Sequence, residues 1–302
     1  GIITQDANSA AIRLNEIFKS TISVNDYPNA KAYDNVDGKI QFSNVTFSYD
    51  NNSLALNDIN LKIAKGENIV LLGQTGSGKS SLVNLIPRFF DPISGQVLID
   101  NIDIKDFTLN SLRRNIGVVH QDAFLFTMSI HDNIAFGKPN ASREEVIISA
   151  KAAQIHEYIM TLDHGYDTIV GERGVTLSGG QRQRVTIARV LLKNPKILIF
   201  DDSVSAVDPK TEKLIMENLK NVSSNRTTII ISQRASSLKF ADRIVVLDGG
   251  TIKQIGSHSE LITVEGIYKE FIKAVNEQVK FMDWSDNDEQ KNLSKIIPEE
   301  SK

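Results

Sequence analysis

The sequence predicts an α/β protein: a parallel sheet with helices on both faces. Three observations carry that expectation. Three short apolar runs, Lys196–Phe200, Thr227–Ile231 and Arg243–Leu247, are separated by helix-length segments, and strands that alternate with helices form sheets covered on both sides. The octapeptide Gly73-Gln-Thr-Gly76-Ser-Gly78-Lys79-Ser80 follows the apolar run Asn68–Leu72 and precedes the apolar stretch Leu82–Ile86, which is the strand–loop–helix order of a phosphate loop. The run Ile197–Phe200 ends in Asp201, a carboxylate at the strand tip where open α/β sheets bind their ligands.

The elements follow in order. Residues 4–20 carry Ala7, Ala10, Ala11, Ile12, Leu14, Ile17 and Phe18, a modest helical pattern. Residues 21–38 are polar, contain Pro28 and Gly38, and read as a linker. Ile40–Val45 and Val45–Tyr49 alternate as strands do, Asn51-Asn52 reads as a turn, and Leu54–Ile63 is a further strand region closed by Lys65-Gly66. Gly95–Asp100 reads as another strand. Residues 141–163 are helical by pattern, through Val146, Ile147, Ala150, Ala153, Ile155, Ile159 and Leu162. From about residue 276 the chain becomes polar. Residues 277–302 hold seven acidic and four basic residues, so this tail alone accounts for the formal net charge of −3, and partial disorder is expected there.

The chain has 302 residues, 41% hydrophobic and 24% charged, the composition of a globular protein of one large or two small domains. Its slight negative charge argues against a nucleic-acid partner. With no cysteine there are no disulfides, thiolate metal sites or cysteine nucleophile. No run of about 18 apolar residues marks a membrane span, and no leader peptide is visible. The chain begins with Gly1 rather than Met, and a piece of a longer protein is expected.

Each part of the octapeptide has a task. Glycines let backbone N–H groups turn inward around phosphates. Lys79 supplies a point charge for the β and γ phosphates, Ser80 offers a hydroxyl to Mg2+, and a following helix adds its dipole. Asp201, about 120 residues on, would hold the same Mg2+ through water.

A further motif points to a family. Leu177-Ser178-Gly179-Gly180-Gln181, followed by Gln183 and Arg184, resembles the signature sequence of ATP-binding cassette (ABC) ATPases, which faces the γ-phosphate bound by the opposite subunit. Its Ser178 and glycines have the look of a helix N-terminus offering N–H groups to an anion. Other matches follow in the family's order. Tyr49 in Phe47-Ser-Tyr49 is either an edge-strand tyrosine or the ring that stacks on adenine. Gln121 resembles the glutamine that senses Mg2+ and links to the membrane domain. Ser205-Ala-Val-Asp208 resembles the loop that communicates across the dimer. Gly171-Glu172-Arg173-Gly174 resembles an exporter segment that touches membrane-domain loops. The resemblance covers residues 39 to about 270. It implies a RecA-like P-loop core, an antiparallel β subdomain near residues 39–72 and 95–119, and a helical subdomain near 122–180. It also implies a helix and linker (1–38) trailing from a transmembrane domain, a nucleotide-binding domain over 39–275, and a separate tail over 276–302. ATP would be held by Tyr49, Gly73, Thr75, Gly76, Ser77, Gly78, Lys79, Ser80, Ser81 and Gln121, with Ser178, Gly179, Gly180 and Gln181 reaching ATP on a second cassette. Mg2+ would be held by Ser80, Gln121 and Asp201.

Two positions depart from the family pattern. Active cassettes usually carry Glu after the Asp-tipped strand, and this chain has Asp202. The shorter side chain withdraws the general base, and a misplacement of order 1 Å costs about 100-fold. Where a histidine usually contacts the γ-phosphate, this chain has Gln233; its five histidines, at 120, 131, 156, 164 and 258, lie elsewhere. Glutamine donates an amide hydrogen bond but cannot become cationic. Together with Lys79, these residues form the expected catalytic set. The resemblance implies one half of a heterodimeric exporter with a degenerate site of its own and a signature intact for its partner, at the cytoplasmic face of a membrane. A homodimeric exporter that tolerates Asp and Gln, and a soluble regulatory ABC ATPase, are the alternatives. The signature argues against a kinase or G protein.

Overall fold

Strands buried on both faces cannot alternate in polarity, whereas strands with one wet face must, and that distinction sorts the chain into two sheets. The computed structural model describes residues 11, 15, 24–50, 53–171, 177–203, 207–222 and 226–275. Along the chain these form β1 (Ile40–Phe47), β2 (Leu56–Ile63), β3 (Asn68–Leu72), α1 (Lys79–Leu85), β4 (Ser94–Ile99), β5 (Ile102–Asp103), α2 (Leu109–Arg114), β6 (Ile116–Val119), α3 (Ile130–Ala135), α4 (Arg143–Ala152), α5 (His156–Met160) and α6 (Gly179–Lys193). They continue through β7 (Ile197–Asp201), α7 (Pro209–Val222), β8 (Thr227–Ile231), α8 (Ala235–Phe240), β9 (Arg243–Asp248), β10 (Thr251–Gly256) and α9 (His258–Leu261).

The first sheet is antiparallel, in the order β2-β1-β4-β5. The two alternating stretches that meet at Val45 are one strand, β1. Its register against β2 slips between Phe42 and Val45, and Asn44 there adopts a left-handed φ of 49°, so an irregularity keeps Val45 and Phe47 on the buried face. The turn from β4 to β5 uses Asp100 and Asn101, both at positive φ, the conformation a two-residue hairpin demands.

The second sheet has the order β10-β9-β3-β8-β7-β6; β9, β3, β8, β7 and β6 run parallel, and β10 pairs antiparallel with β9. The runs 68–72 and 116–119, expected within the antiparallel subdomain, are β3 and β6 of this parallel sheet. The continuous burial of β3 explains why: a strand apolar throughout belongs between two layers. Successive residues serve opposite faces. Val70, Leu72, Leu198, Phe200 and Ile230 pack into a core shared with α4, α6 and α7, while Ile69, Leu71, Ile197, Ile199 and Ile229 pack against α1 and the antiparallel sheet.

The helical stretch expected over 141–163 is two helices. Ser142 and Glu145 form a capping box at the start of α4, and Gln154, at φ 57°, breaks the chain direction before α5. Residues 24–39 are irregular but docked. The Asp100 carboxylate accepts from the backbone N–H groups of Asp37, Gly38 and Lys39 at 2.6, 3.1 and 2.9 Å. Asp26 accepts from Leu109 N at 2.7 Å, and Tyr33 packs on Phe107 with ring centroids 4.6 Å apart. Of the expected helix over 4–20, only Ala11 and Asn15 are described, and both are helical; Asn51-Asn52 and the tail over 276–302 lie outside the described residues. Among the described residues no helix is long and apolar enough to cross a membrane.

The phosphate loop passes close to the start of β2 at Gly78, whose φ is +99° and where a Cβ would stand 2.6 Å from Ala55 O and 2.9 Å from Leu56 Cδ2. Gly78→Ala therefore strains both backbone and contact. The expected loss is about 1–3 kcal/mol of folding stability, read as a lower denaturation midpoint at unchanged slope; an unchanged midpoint would contradict the close approach.

Candidate functional site at the phosphate loop

The site forms where β3, β7 and β8 end side by side. Leu71 and Asp201 both pair with Ile231, so the loop after β3, the carboxylates after β7 and the Ser232–Arg234 segment after β8 converge. The loop turns sharply at Gly73, where a Cβ would lie 2.2 Å from Leu247 O; only glycine fits there. Gly78, the residue before α1, contributes no side-chain cap to that helix.

Lys79 folds back on its own loop. Its Nζ donates to Gly73 O at 2.8 Å, Gln74 O at 2.7 Å and Ser77 Oγ at 3.2 Å. Burial lowers its pKa, against the pull of Asp202 and Asp201. Ser80 Oγ donates to Asp201 Oδ1 at 3.0 Å. Asp202 follows at a left-handed φ of 46°, a conformation Asp and Asn tolerate best among residues with side chains. Burial raises the Asp202 pKa, the neighbouring Asp201 charge raises it further, and Arg234 and Lys79 oppose both. Gln233 Nε2 donates to Gly73 O at 3.3 Å, so it reaches the base of the loop.

A cavity of about 490 Å3 opens over these groups. It brings together Tyr49, Thr75, Gly76, Gly78, Lys79, Ser80, Ser81, Gln121, Asp201 and Asp202. Gly73, Ser77 and Gln233 are not among the residues that line it. Sequence reasoning missed Ser53, Leu54, Ala55 and Ile231, which also line it; nothing in their chemistry marks them, since they arrive by proximity to Tyr49 and to the strand tips. Among the described residues no cluster of three or more His, Asp or Glu is arranged to hold a metal. The donor set here is instead the Ser80 hydroxyl, the Asp201 carboxylate and the Gln121 amide. Hard oxygen donors few in number fit Mg2+, which keeps waters and takes its remaining oxygens from phosphates.

Ser178, Gly179, Gly180 and Gln181 do not line this cavity. They open α6, where Ser178 Oγ accepts from Gln181 N at 3.2 Å and Gln181 Oε1 accepts from Ser178 N at 2.7 Å. Ser178 thus caps its own helix. Two residues later Gln183, almost fully buried, donates from Nε2 to His120 O at 3.1 Å, tying α6 to the backbone beside Gln121.

One buried group was invisible in sequence. Glu212 has no exposed surface, and its carboxylate accepts from Arg234 Nη1 at 2.6 Å and Ser237 Oγ at 3.0 Å. The same Arg234 Nη1 donates to Val207 O at 2.7 Å. This pair locks the start of α7 to the segment carrying Gln233. Val204, Ser205 and Ala206, and Glu172-Arg173-Gly174, lie outside the described residues.

With that geometry in view, a family profile described as "ABC transporter" matches residues 56–205. A protein of Bacillus subtilis (strain 168) named "Putative multidrug export ATP-binding/permease protein YgaD" is 49% identical over 252 residues, covering 83% of this chain and 43% of that protein. A protein of Staphylococcus aureus (strain NCTC 8325 / PS 47), also named as a multidrug export ATP-binding/permease protein, is 50% identical over 240 residues, covering 79% of this chain and 42% of its own length. The chain thus spans less than half the length of these relatives. A solved bacterial Atm1-family ABC exporter with ATP bound superposes with a TM-score of 0.83 at 42% identity, over 90% of this chain and 49% of that one.

The raised Asp202 pKa carries a stability consequence. A carboxyl that binds its proton more tightly when folded makes stability fall as pH rises from the unfolded value through the folded one. Asp202→Asn removes that loss and keeps a residue suited to positive φ. The variant is expected to be more stable than the parent at pH 7, with the difference closing as pH falls below the ordinary carboxylate range. Denaturant melts across that range measure it, and a variant no more stable at pH 7 counts against the raised pKa that burial, and then the Asp201 charge, give Asp202.

Proposed function

The chain belongs to the ABC transporter family, and on that premise we propose that it is the ATP-driven cassette of an exporter whose own site binds Mg-ATP and turns it over slowly. The observation that carries this reading is the pairing of a complete phosphate cradle, Lys79, Ser80 and Asp201, with Asp202 and Gln233 at the two catalytic positions.

The loop N–H groups and the Lys79 ammonium bind the phosphates; Lys79 exchanges its hold on Gly73 O and Gln74 O for β and γ oxygens. Tyr49 offers its ring to the base. Ser80, Asp201 and Gln121 would hold Mg2+, which neutralises charge on the terminal phosphates. Asp202 is the carboxylate placed to take a proton from an attacking water, and it does so from a shorter side chain than Glu. Gln233 contributes an amide, with no positive charge, to the far side of the γ-phosphate. Both substitutions lower transition-state stabilisation more than they lower binding.

A second cassette is part of the proposal. Ser178, Gly179, Gly180 and Gln181 stand away from the chain's own cavity, which supports a role at the ATP of a partner, and the impaired set at 202 and 233 favours a partner that is not identical. The names of the relatives support a parent protein with a fused membrane domain, which puts this cassette at the cytoplasmic face of the membrane.

Single-turnover ATP hydrolysis by the chain at high concentration tests the reading, beside Asp202→Glu/Gln233→His. The expected outcome is ATP binding with scarcely any turnover in the parent, and a gain in the double variant within the roughly 10²- to 10⁴-fold span of general-base catalysis. Fast turnover in the parent would sink the slow-site reading and leave a homodimeric exporter cassette. In the same assay Lys79→Ala is expected to lose ATP binding while Ser178→Ala keeps it; unaltered affinity in Lys79→Ala would remove the phosphate-loop assignment.

A further inference from the structure

Tyr49 is 56% exposed, yet its ring is not free to turn. Phe47 meets it edge-on with centroids 4.7 Å apart at 78°, and Phe90 does so at 5.1 Å and 87°. Its hydroxyl lies 3.1 Å from Ser81 Oγ. Ser81 is only 8% exposed, so little water competes for that bond. It sits two residues past Lys79, in the helix that carries Lys79 and Ser80. The tyrosine therefore links the segment after β1 to α1 across the cavity wall, with its hydroxyl on the helix that carries Lys79 and Ser80.

We propose that the Tyr49–Ser81 hydrogen bond is a positioning link that indexes the base platform to the phosphate cradle, so that a purine nucleoside triphosphate gains from both ends at once. This rests on the nucleotide reading given above and deepens it. A ring that ordered only on binding would cost conformational entropy at that moment, and fixing it beforehand removes the cost. The strength lies in the pair: a tyrosine without the serine partner, or the serine without the phenol, leaves the platform unindexed.

The test is a double-mutant cycle on ATP binding by the whole chain, measured by titration calorimetry. Tyr49→Phe keeps the ring and both edge contacts and removes only the hydroxyl; it is expected to weaken ATP binding about 3- to 10-fold, the span of the cost of ordering one side chain on binding. In a Ser81→Ala background the same change is expected to cost less than about twofold. Ser81→Thr, which restores a hydroxyl, should restore the full cost of Tyr49→Phe. Equal costs of Tyr49→Phe in the parent and in the Ser81→Ala background, or no cost in either, overturn the link while leaving ATP binding itself intact. Failure of the parent chain to bind ATP at all would instead overturn the proposed function and this inference with it. The exposed position of Tyr49 and the retained ring leave the fold undisturbed.

Discussion

The site exists because three parallel strands are buried on both faces. β3, β7 and β8 have no wet side on which to place a polar group, so their chemistry is deferred to their carboxyl ends. The registers that pair Leu71 with Ile231 and Ile231 with Asp201 bring those ends level. A lysine loop, two carboxylates and an amide-bearing segment are thereby delivered to one ledge without any of them interrupting the sheet. The same constraint explains why the ledge is crowded with like charge: Asp201 and Asp202 are consecutive, and the cations that answer them, Lys79 and Arg234, come from the neighbouring strands' loops.

Much of this was legible in sequence, for physical reasons. Continuous apolar runs announce doubly buried strands, and the glycines at 73, 76 and 78 announce backbone wrapped around an anion. The alternation in β1 was readable on either side of its irregularity; Phe42 and Val45, three residues apart, share one buried face only because the register slips between them. What could not be read was long-range. The partition of strands between the two sheets escaped because a five-residue apolar run does not state its neighbours. The break between α4 and α5 hinges on one left-handed glutamine inside an otherwise helical pattern. Glu212 lies in a helix rich in polar residues, and only the return of Arg234 from β8 makes it a buried acid.

α6, opened by Ser178, does not line the cavity over the phosphate loop, yet polar side chains tie together the elements around both. Gln183 holds the backbone beside Gln121, and the Glu212–Arg234 pair holds α7 to the segment behind the loop. Buried polar contacts of this kind fix relative orientation in a way apolar packing alone does not, because each leaves an unsatisfied group if the elements slide.

The docked segment over residues 24–39 has a mechanical meaning. Three backbone N–H groups grip one carboxylate at Asp100, and Asp26 and Tyr33 fasten further points along α2 and its approach. Bonds distributed along a segment share a load in parallel, unlike a single anchor that peels. Tension applied at its outer end is carried as shear across several anchors into the β4–β5 hairpin and α2, with little slack to take up. A pull on the segment would have to break several bonds together rather than one after another.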